Sequence, residues 1–572
     1  MSEKEIVREL KPLFEPCSVA VIGATNNPTK WGFSTFASLK GRYHGRLYPV
    51  NIRDGEILGV KAYHSVLDVP DDVDLAVIVI PGEKVLGVIT ECVNKGVKAG
   101  VIISAGFAET GEAGRAMQDE IVREAKRAGM RLVGPNCMGM WSAPSELTAF
   151  MFPLPVQDGP LALVSQGGNV GGALVIDAVN RGTGFRYYVS CGCTADIQLE
   201  DYVEYLGEDD SVKVIMLYIE GLGDGRRFIE KVKNVTIKKP VIALKPGRTE
   251  AAVKAISSHS GALSGADSVY DAAFKKAGIL RVDTGVEMLD TAIALLSQPL
   301  PRGRNVVITT PGGSYGVMCA DACASRGLNV IDLPESALKT LNEMFPPRWS
   351  HGNPVDPAGD RNFFMYLKAP EVLLPYNEVD AMIFMGFGSF SGISAMLASA
   401  GSELSKGMRE KAADMERFAP MARLFGEAIE SGRDSEIKQI VKLCLTIIFG
   451  RVASSKPTEV EEFVSHAADA LSSQRWRSSS FFVGLKEFFK SIADGTMDHL
   501  KMASIMELLT PLLDALIDRW IQTYHKPVIT TTFTEESSRI GEGGYFPYPS
   551  VERAAAVLQK LVEYSEYLRY RE

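Results

Sequence analysis

No apolar run in this sequence is long enough to cross a bilayer: the longest, around Leu443 to Phe449, falls far short of the roughly 20 residues a spanning helix needs. The opening MSEKEIVREL is charged and has no apolar h-region, so a cytoplasmic location is the expectation. A large excess of charge is missing as well. Lys and Arg number 61 against 70 Asp and Glu, a formal net charge of -9 over 572 residues, which leaves no electrostatic case for nucleic acid or an anionic membrane. Cysteine is scarce. Eight in so long a chain, several in apolar stretches such as Cys92 and Cys444, do not make a secreted disulfide framework and read as reduced thiols. The close pairs Cys191/Cys193 and Cys319/Cys323 have no second CxxC and no nearby histidine to complete four ligands, so no metal is expected. A solenoid-type repeat is absent. So is GxGxxG, and Asn51 stands where a nicotinamide-binding fold carries its acidic residue; a nicotinamide oxidoreductase is thereby disfavoured.

What is there is a strand and helix rhythm, in a chain too long for one hydrophobic core. Between Ser18 and Pro135 the short apolar runs SVAVIG, RLYPVN, LAVIVIP, AGVIISAGF and RLVGPN alternate with longer helical patterns, which predicts a parallel, doubly wound sheet within a domain at 1–150. Prolines and a glycine around 153–160 punctuate the chain. LALVSQGG, VIMLYIEG and VIALKPG then mark a second α/β domain at 151–300. NVVITTPGGSYGV opens a third, over 301–390, which is broken by a helix-like stretch at 391–524 and resumes with KPVITTTF over 525–572.

Three glycine turns fall at strand-to-helix junctions, where backbone amides and the positive end of a helix dipole can meet an anion. The first is Gly23 to Gly32, GATNNPTKWG, with Lys30 adding a cation. The second, SQGGNVGG, offers free N–H groups at Gly167, Gly168 and Asn169, and the third is PGGSYG with Gly312 and Gly313. Any one of them is equally explained as a tight turn; three in one chain point to phosphate handling. The loop SSHSGALSG carries His259 among small residues that leave its ring accessible. Neutral imidazole near physiological pH can attack phosphorus and leave again. Glu220, at the end of VIMLYIEG, is placed to orient that ring, or is merely a solvated strand-end carboxylate.

Taken together and in order, VAVIGAT, LYPVN, VDLAVIVIP, VIISAGFAETGEAG, GMRLVGPNCMG, LVSQGG, DGRRFIE, KPVIALKPGRT, SSHSGALSGADSVYDAAFKKAGI and NPVDPAGD resemble the alpha subunit, or first part, of the nucleoside-diphosphate-forming acyl-CoA synthetases. That family includes ADP-forming acetyl-CoA synthetase and, more distantly, succinyl-CoA synthetase. The resemblance covers about 1 to 390 and resumes at about 525. It implies an α/β fold: a Rossmann-like CoA-binding domain, then two flavodoxin-like domains, the last interrupted by the helical insertion. It further implies that His259 is the phosphorylated histidine, that Glu220 holds it, and that Gly23, Thr25, Asn26, Lys30, Asn51, Pro81, Ser104, Ala105 and Asn136 contact coenzyme A. The helix starts at SQGG and PGGS would hold phosphate. Two departures stand out. Relatives commonly carry SQSG where this chain has Ser165, Gln166, Gly167 and Gly168, and a GNKAD-like run where it has Gly192, Cys193, Thr194, Ala195 and Asp196.

The implied reaction is acyl-CoA and phosphate giving acyl phosphate and CoA, then phosphoryl transfer to His259 and on to a nucleoside diphosphate. Neither the helical stretch nor 525–572 resembles an ATP-grasp domain. The resemblance therefore implies ADP/ATP with magnesium on a separate beta subunit, in a heterotetramer of two alpha and two beta chains. The rival expectation is a CoA-binding regulatory or scaffold protein without ligase activity; retention of both His259 and Glu220 favours the enzyme.

Overall fold

A strand covered on both faces reads as an unbroken apolar run, and Ser18–Ile22, Leu75–Ile78 and Ala99–Ile102 are buried at every position. In the computed structural model they join Arg46–Val50 and Arg131–Val133 in a five-stranded, wholly parallel sheet. Counted along the chain, these five strands lie in the order second, first, third, fourth, fifth, a doubly wound arrangement with its switch point beside Ser18–Ile22. Helices Trp31–Arg42, Val85–Lys95 and Glu112–Arg127 lie between the strands in the chain. The structure describes residues 4–252, 254, 267–358, 363–385, 438–439, 441–442, 457–471, 476, 482, 509–532 and 539–571. They fall into two units, Met1–Ala292 with Tyr570–Glu572, and Ile293–Arg569.

The first unit holds a second sheet of seven strands. Ile279–Val282, Val241–Leu244, Val214–Tyr218, Leu161–Ser165 and Phe185–Ser190 run parallel in that order, and the antiparallel strands Gly139–Ser142 and Leu147–Phe150 extend it beyond Phe185–Ser190. Residues 139–150 therefore pair with the second sheet, although the sequence grouped them with the first domain. Side chains explain the difference: Met140 and Trp141 are buried, and the Trp141 indole N–H donates to the Phe185 carbonyl at 2.7 Å.

The second unit has a four-stranded parallel sheet in the order Asn329–Val330, Asn305–Thr309, Ala381–Phe384, Val528–Thr530. The strand before the interruption thus pairs with the strand after it, Met382 opposite Val528 and Phe384 opposite Thr530. Most of 391–524 lies outside the described residues. Helices Pro457–Leu471 and Leu509–Tyr524 are described, and they do not stand apart as a separate lobe. Val464, Leu471, Leu512, Leu516 and Trp520 share one core with Leu367, Met382 and Phe384, and the Trp520 and Phe384 rings meet at 5.4 Å between centroids. The apolar face of LLDALIDRWI, 512–521, has to be buried somewhere. It is buried on the sheet, as the crossover leading into Val528–Thr530.

Candidate functional site

In an open parallel sheet, ligands bind beyond the carboxyl ends of the strands. Gly23 follows Ile22 there, Asn51 follows Val50, and Pro81, Ser104 and Asn136 lie just past the next three strands. Gly23 has φ 95°, and a Cβ on it would lie 2.2 Å from the Val79 carbonyl oxygen, so the turn admits only glycine. Asn51 Nδ2 donates to the Ala24 carbonyl at 2.7 Å, while its Oδ1 accepts from the Arg53 and Asp54 amides. Asn26 donates to the Glu56 carbonyl and accepts from the Leu58 amide, both at 2.9 Å. Both carboxamides are therefore engaged in bracing loops. Thr25 Oγ1 accepts from the Asn27 amide at 3.2 Å, and Ser104 Oγ from the Ile80 amide at 3.3 Å. Lys30, Pro81, Ala105 and Asn136 are exposed, as is the Trp31 ring beside Lys30.

This rim reaches the second sheet through backbone contacts. The Asn136 amide donates to the Ser104 carbonyl at 2.9 Å, and the Cys193 and Ala195 amides donate to the Pro135 and Gly134 carbonyls at 3.0 and 3.1 Å. Cys193 Sγ lies 3.7 Å from Glu109 Oε2. Burial, and then the Glu109 carboxylate, push its thiol up to about 12.

At the end of Leu161–Ser165 the chain turns into helix Gly168–Asn180, capped by Gly167 with no side chain bonded to its first amides. Ser165 Oγ donates to the Gly167 carbonyl at 2.6 Å and closes the turn. A Cβ on Gly167 would stand 2.7 Å from the Tyr218 ring and 3.5 Å from Glu220 Oε1, so the buried Glu220 carboxylate lies beside the start of this helix. On the other flank, a Cβ on Gly168 would meet Met138 Sδ at 2.3 Å; Asn169 is exposed. The Tyr218 hydroxyl is pushed up to about 12 by burial and then by Glu220, and so stays protonated. His259 lies outside the described residues. The two ends of its loop are not: Arg281 donates to the Lys245 carbonyl at 3.3 Å, pairs with Asp267, and reaches Asp271 at 2.5 Å.

The second unit repeats the turn. Thr310 Oγ1 donates to the Gly312 carbonyl at 2.8 Å, helix Gly313–Ala324 follows, and a Cβ on Gly313 would lie 3.0 Å from Asp356 Oδ2. A strand-end hydroxyl, two glycines and a facing carboxylate thus occur at both helix starts. Asp356 and Met138 were given no role from the sequence, and Gln166 and Thr194 entered only as members of the SQGG and GCTAD runs. What each of them touches is decided only once the loops have folded together.

Among the described residues no group of three or more His, Cys, Asp and Glu could hold a metal ion, and no helix is long and apolar enough to cross a membrane. Three family models match the chain in order: a CoA binding domain over residues 17–142, a succinyl-CoA ligase like flavodoxin domain over 158–295, and a ligase-CoA domain over 305–424. Subunit alpha of the ADP-forming acetate–CoA ligase II of Pyrococcus furiosus is 44% identical over 370 residues, which is 65% of this chain and 80% of that protein. The chain belongs to the ADP-forming acyl-CoA ligase family. Two solved structures align with this ligase along most of its length. PH0766 from Pyrococcus horikoshii OT3 is 30% identical with a TM-score of 0.67, covering 98% of this chain and 99% of its own. An acetyl-coenzyme A synthetase 1 from Ca. Korarchaeum cryptofilum, in complex with phosphate and ADP, is 30% identical with a TM-score of 0.62, covering 86% and 99%.

Proposed function

We propose that this chain is the alpha component of an ADP-forming acyl-CoA synthetase, interconverting acyl-CoA, phosphate and ADP with carboxylic acid, CoA and ATP. A phosphate oxygen attacks the thioester carbonyl and CoA leaves as its thiolate, to be protonated. The acyl phosphate formed passes its phosphoryl group to the His259 imidazole, releasing the carboxylate, and the phosphohistidine passes it to ADP. Coenzyme A lies along Gly23, Thr25, Asn26, Lys30, Asn51, Pro81, Ser104, Ala105 and Asn136. Phosphate lies at Gly167, Gly168 and Asn169, with Gly312 and Gly313 serving the second helix start. The naming of the Pyrococcus furiosus relative as a subunit alpha supports a partner beta chain; on that chain we place ADP and magnesium, in a cytoplasmic assembly of two alpha and two beta.

One observation carries this reading: the Glu220 carboxylate beside Gly167, at the uncapped start of helix Gly168–Asn180. The helix end attracts an anion with about half an elementary charge. A buried carboxylate at the same spot would repel the phosphate, unless a cation sits between them. An imidazolium supplies that cation, and the SSHSG loop, anchored at Lys245 and Asp267, supplies the imidazole. The test is to incubate the full chain with radiolabelled phosphate and acetyl-CoA. Acid-labile label should appear on the protein and be absent from His259→Ala, with CoA affinity changed by no more than about twofold, because His259 falls in the flavodoxin-domain match and the CoA-contacting residues in the CoA-binding match. Label retained in His259→Ala would refute the phosphohistidine.

A further inference from the structure

Gln166 stands between the strand that ends at Ser165 and the helix that begins at Gly168, and its carboxamide bonds to two other loops at once. Its Oε1 accepts from the Glu220 amide at 2.6 Å and the Gly221 amide at 3.0 Å. Its Nε2 donates to the Gly221 carbonyl at 3.0 Å and to Thr194 Oγ1 at 3.4 Å. The Gln166 backbone amide adds a bond to the Tyr218 carbonyl at 3.1 Å. Two amide N–H groups on one side and a carbonyl on the other leave only one orientation of the side chain satisfied. A flipped carboxamide would set an NH2 against two N–H donors and an oxygen against a carbonyl.

The bonded segment is the one that carries the carboxylate. After Tyr218 the backbone leaves the sheet, and the bonds that hold it on either side of Glu220 include the pair to Gln166 and the Ile219 amide bonded to the Leu244 carbonyl at 3.0 Å. Thr194 belongs to the segment whose Cys193 and Ala195 amides bond to Pro135 and Gly134. The same carboxamide therefore ties the carboxylate loop to the rim of the first sheet. The Tyr218 ring takes the space a side chain at Gly167 would need, and Glu220 Oε1 would lie 3.5 Å from a Cβ there, an ordinary contact distance.

We propose that Gln166 is a positioning residue for phosphoryl transfer: it touches no reacting atom and sets the place of Glu220 beside the helix start. This rests on the reading of Glu220 as the carboxylate that holds the phosphorylated imidazole. Removing the carboxamide frees two amide donors and loosens the backbone that carries Glu220. A displacement of about 1 Å at a reacting centre costs about a hundredfold in rate. Gln166→Glu is the isosteric counterpart: one oxygen still accepts from both amides, while the other meets the Gly221 carbonyl and is repelled.

The experiment measures the initial rate of acid-labile labelling of the full chain from radiolabelled phosphate and acetyl-CoA. Wild type, Gln166→Ala, Gln166→Glu, Glu220→Gln and the double variant Gln166→Ala with Glu220→Gln are compared. CoA affinity and urea midpoint serve as folding controls. The expectation is a loss of about a hundredfold in kcat for both Gln166 variants, with the affinity for CoA unchanged. In the Glu220→Gln background, Gln166→Ala should cost less than about twofold more, because the two residues act as one unit. A second full loss in that background, or wild-type rates in a folded Gln166→Glu, overturns the proposal. If wild type takes up no label, or Glu220→Gln labels normally, it is the underlying reading of the site that fails.

Discussion

Glu220 is a buried carboxylate at a helix start, and its neutral isostere separates charge from shape. Glu220→Gln keeps the packing against Gly167 and Tyr218 but cannot stabilise an imidazolium. We expect slower phosphohistidine formation and a shorter lifetime of the labelled protein, read by filter binding after a chase with unlabelled phosphate; unchanged kinetics would make Glu220 a packing residue. Cys193 poses the opposite question, because a thiol at the junction of two domains invites a nucleophilic role. Burial and Glu109 hold it up to about 12, so at neutral pH it is a thiol and not a thiolate. Iodoacetamide at neutral pH should alkylate the exposed Cys17 and leave Cys193 unmodified by peptide mass spectrometry. Labelling of Cys193 first would overturn that assignment.

At the scale of elements, the anchoring of the SSHSG loop is a matter of ion pairs. Arg281 is nearly buried and holds the carbonyl of Lys245, where the loop departs, together with Asp267 and Asp271, where it returns. Losing a buried pair costs about 3–5 kcal/mol, and partial exposure of the two aspartates reduces this to about 2 kcal/mol. Arg281→Met should lower the unfolding free energy read from the urea transition by that amount and slow phosphorylation; an unchanged transition would show the loop to be anchored elsewhere. The strands were legible in the sequence because a parallel sheet buried on both faces makes each of them a run of Val, Ile and Leu, as in VAVI and LAVI. The glycine turns were legible for a related reason, since Gly23 and Gly167 stand where any Cβ would collide. The hairpin Gly139–Ser142 and Leu147–Phe150 was not. Its partner is chosen by Trp141 reaching Phe185, a tertiary contact with no local signature. Gln166 escaped notice likewise, because its meaning lies in loops more than 25 residues away on the chain.

For the molecule as a whole, the stretch at 391–524 read as an insertion because its helical pattern interrupts a strand rhythm. Its last helix is nonetheless part of the domain it interrupts. Trp520 packs on Phe384 in the middle of the sheet, and truncating a buried tryptophan costs about 3–5 kcal/mol. Trp520→Ala should shift the calorimetric transition of the second unit to lower temperature and leave CoA binding by the first unit intact. Loss of CoA binding by a protein whose first unit still melts normally would contradict that division.

The pairing of Ala381–Phe384 with Val528–Thr530 also bears on how the protein is made. A ribosome adds about 5–20 residues each second, so the earlier strand waits on the order of ten seconds, with one edge unpaired, before its partner is synthesised. The first unit, whose described sheets draw on no strand beyond Val282, has no such delay. It can fold while translation continues. The last sheet closes only once Val528–Thr530 has been made, and until then its open edge is the place where a nascent chain of this ligase is exposed to aggregation and to chaperones.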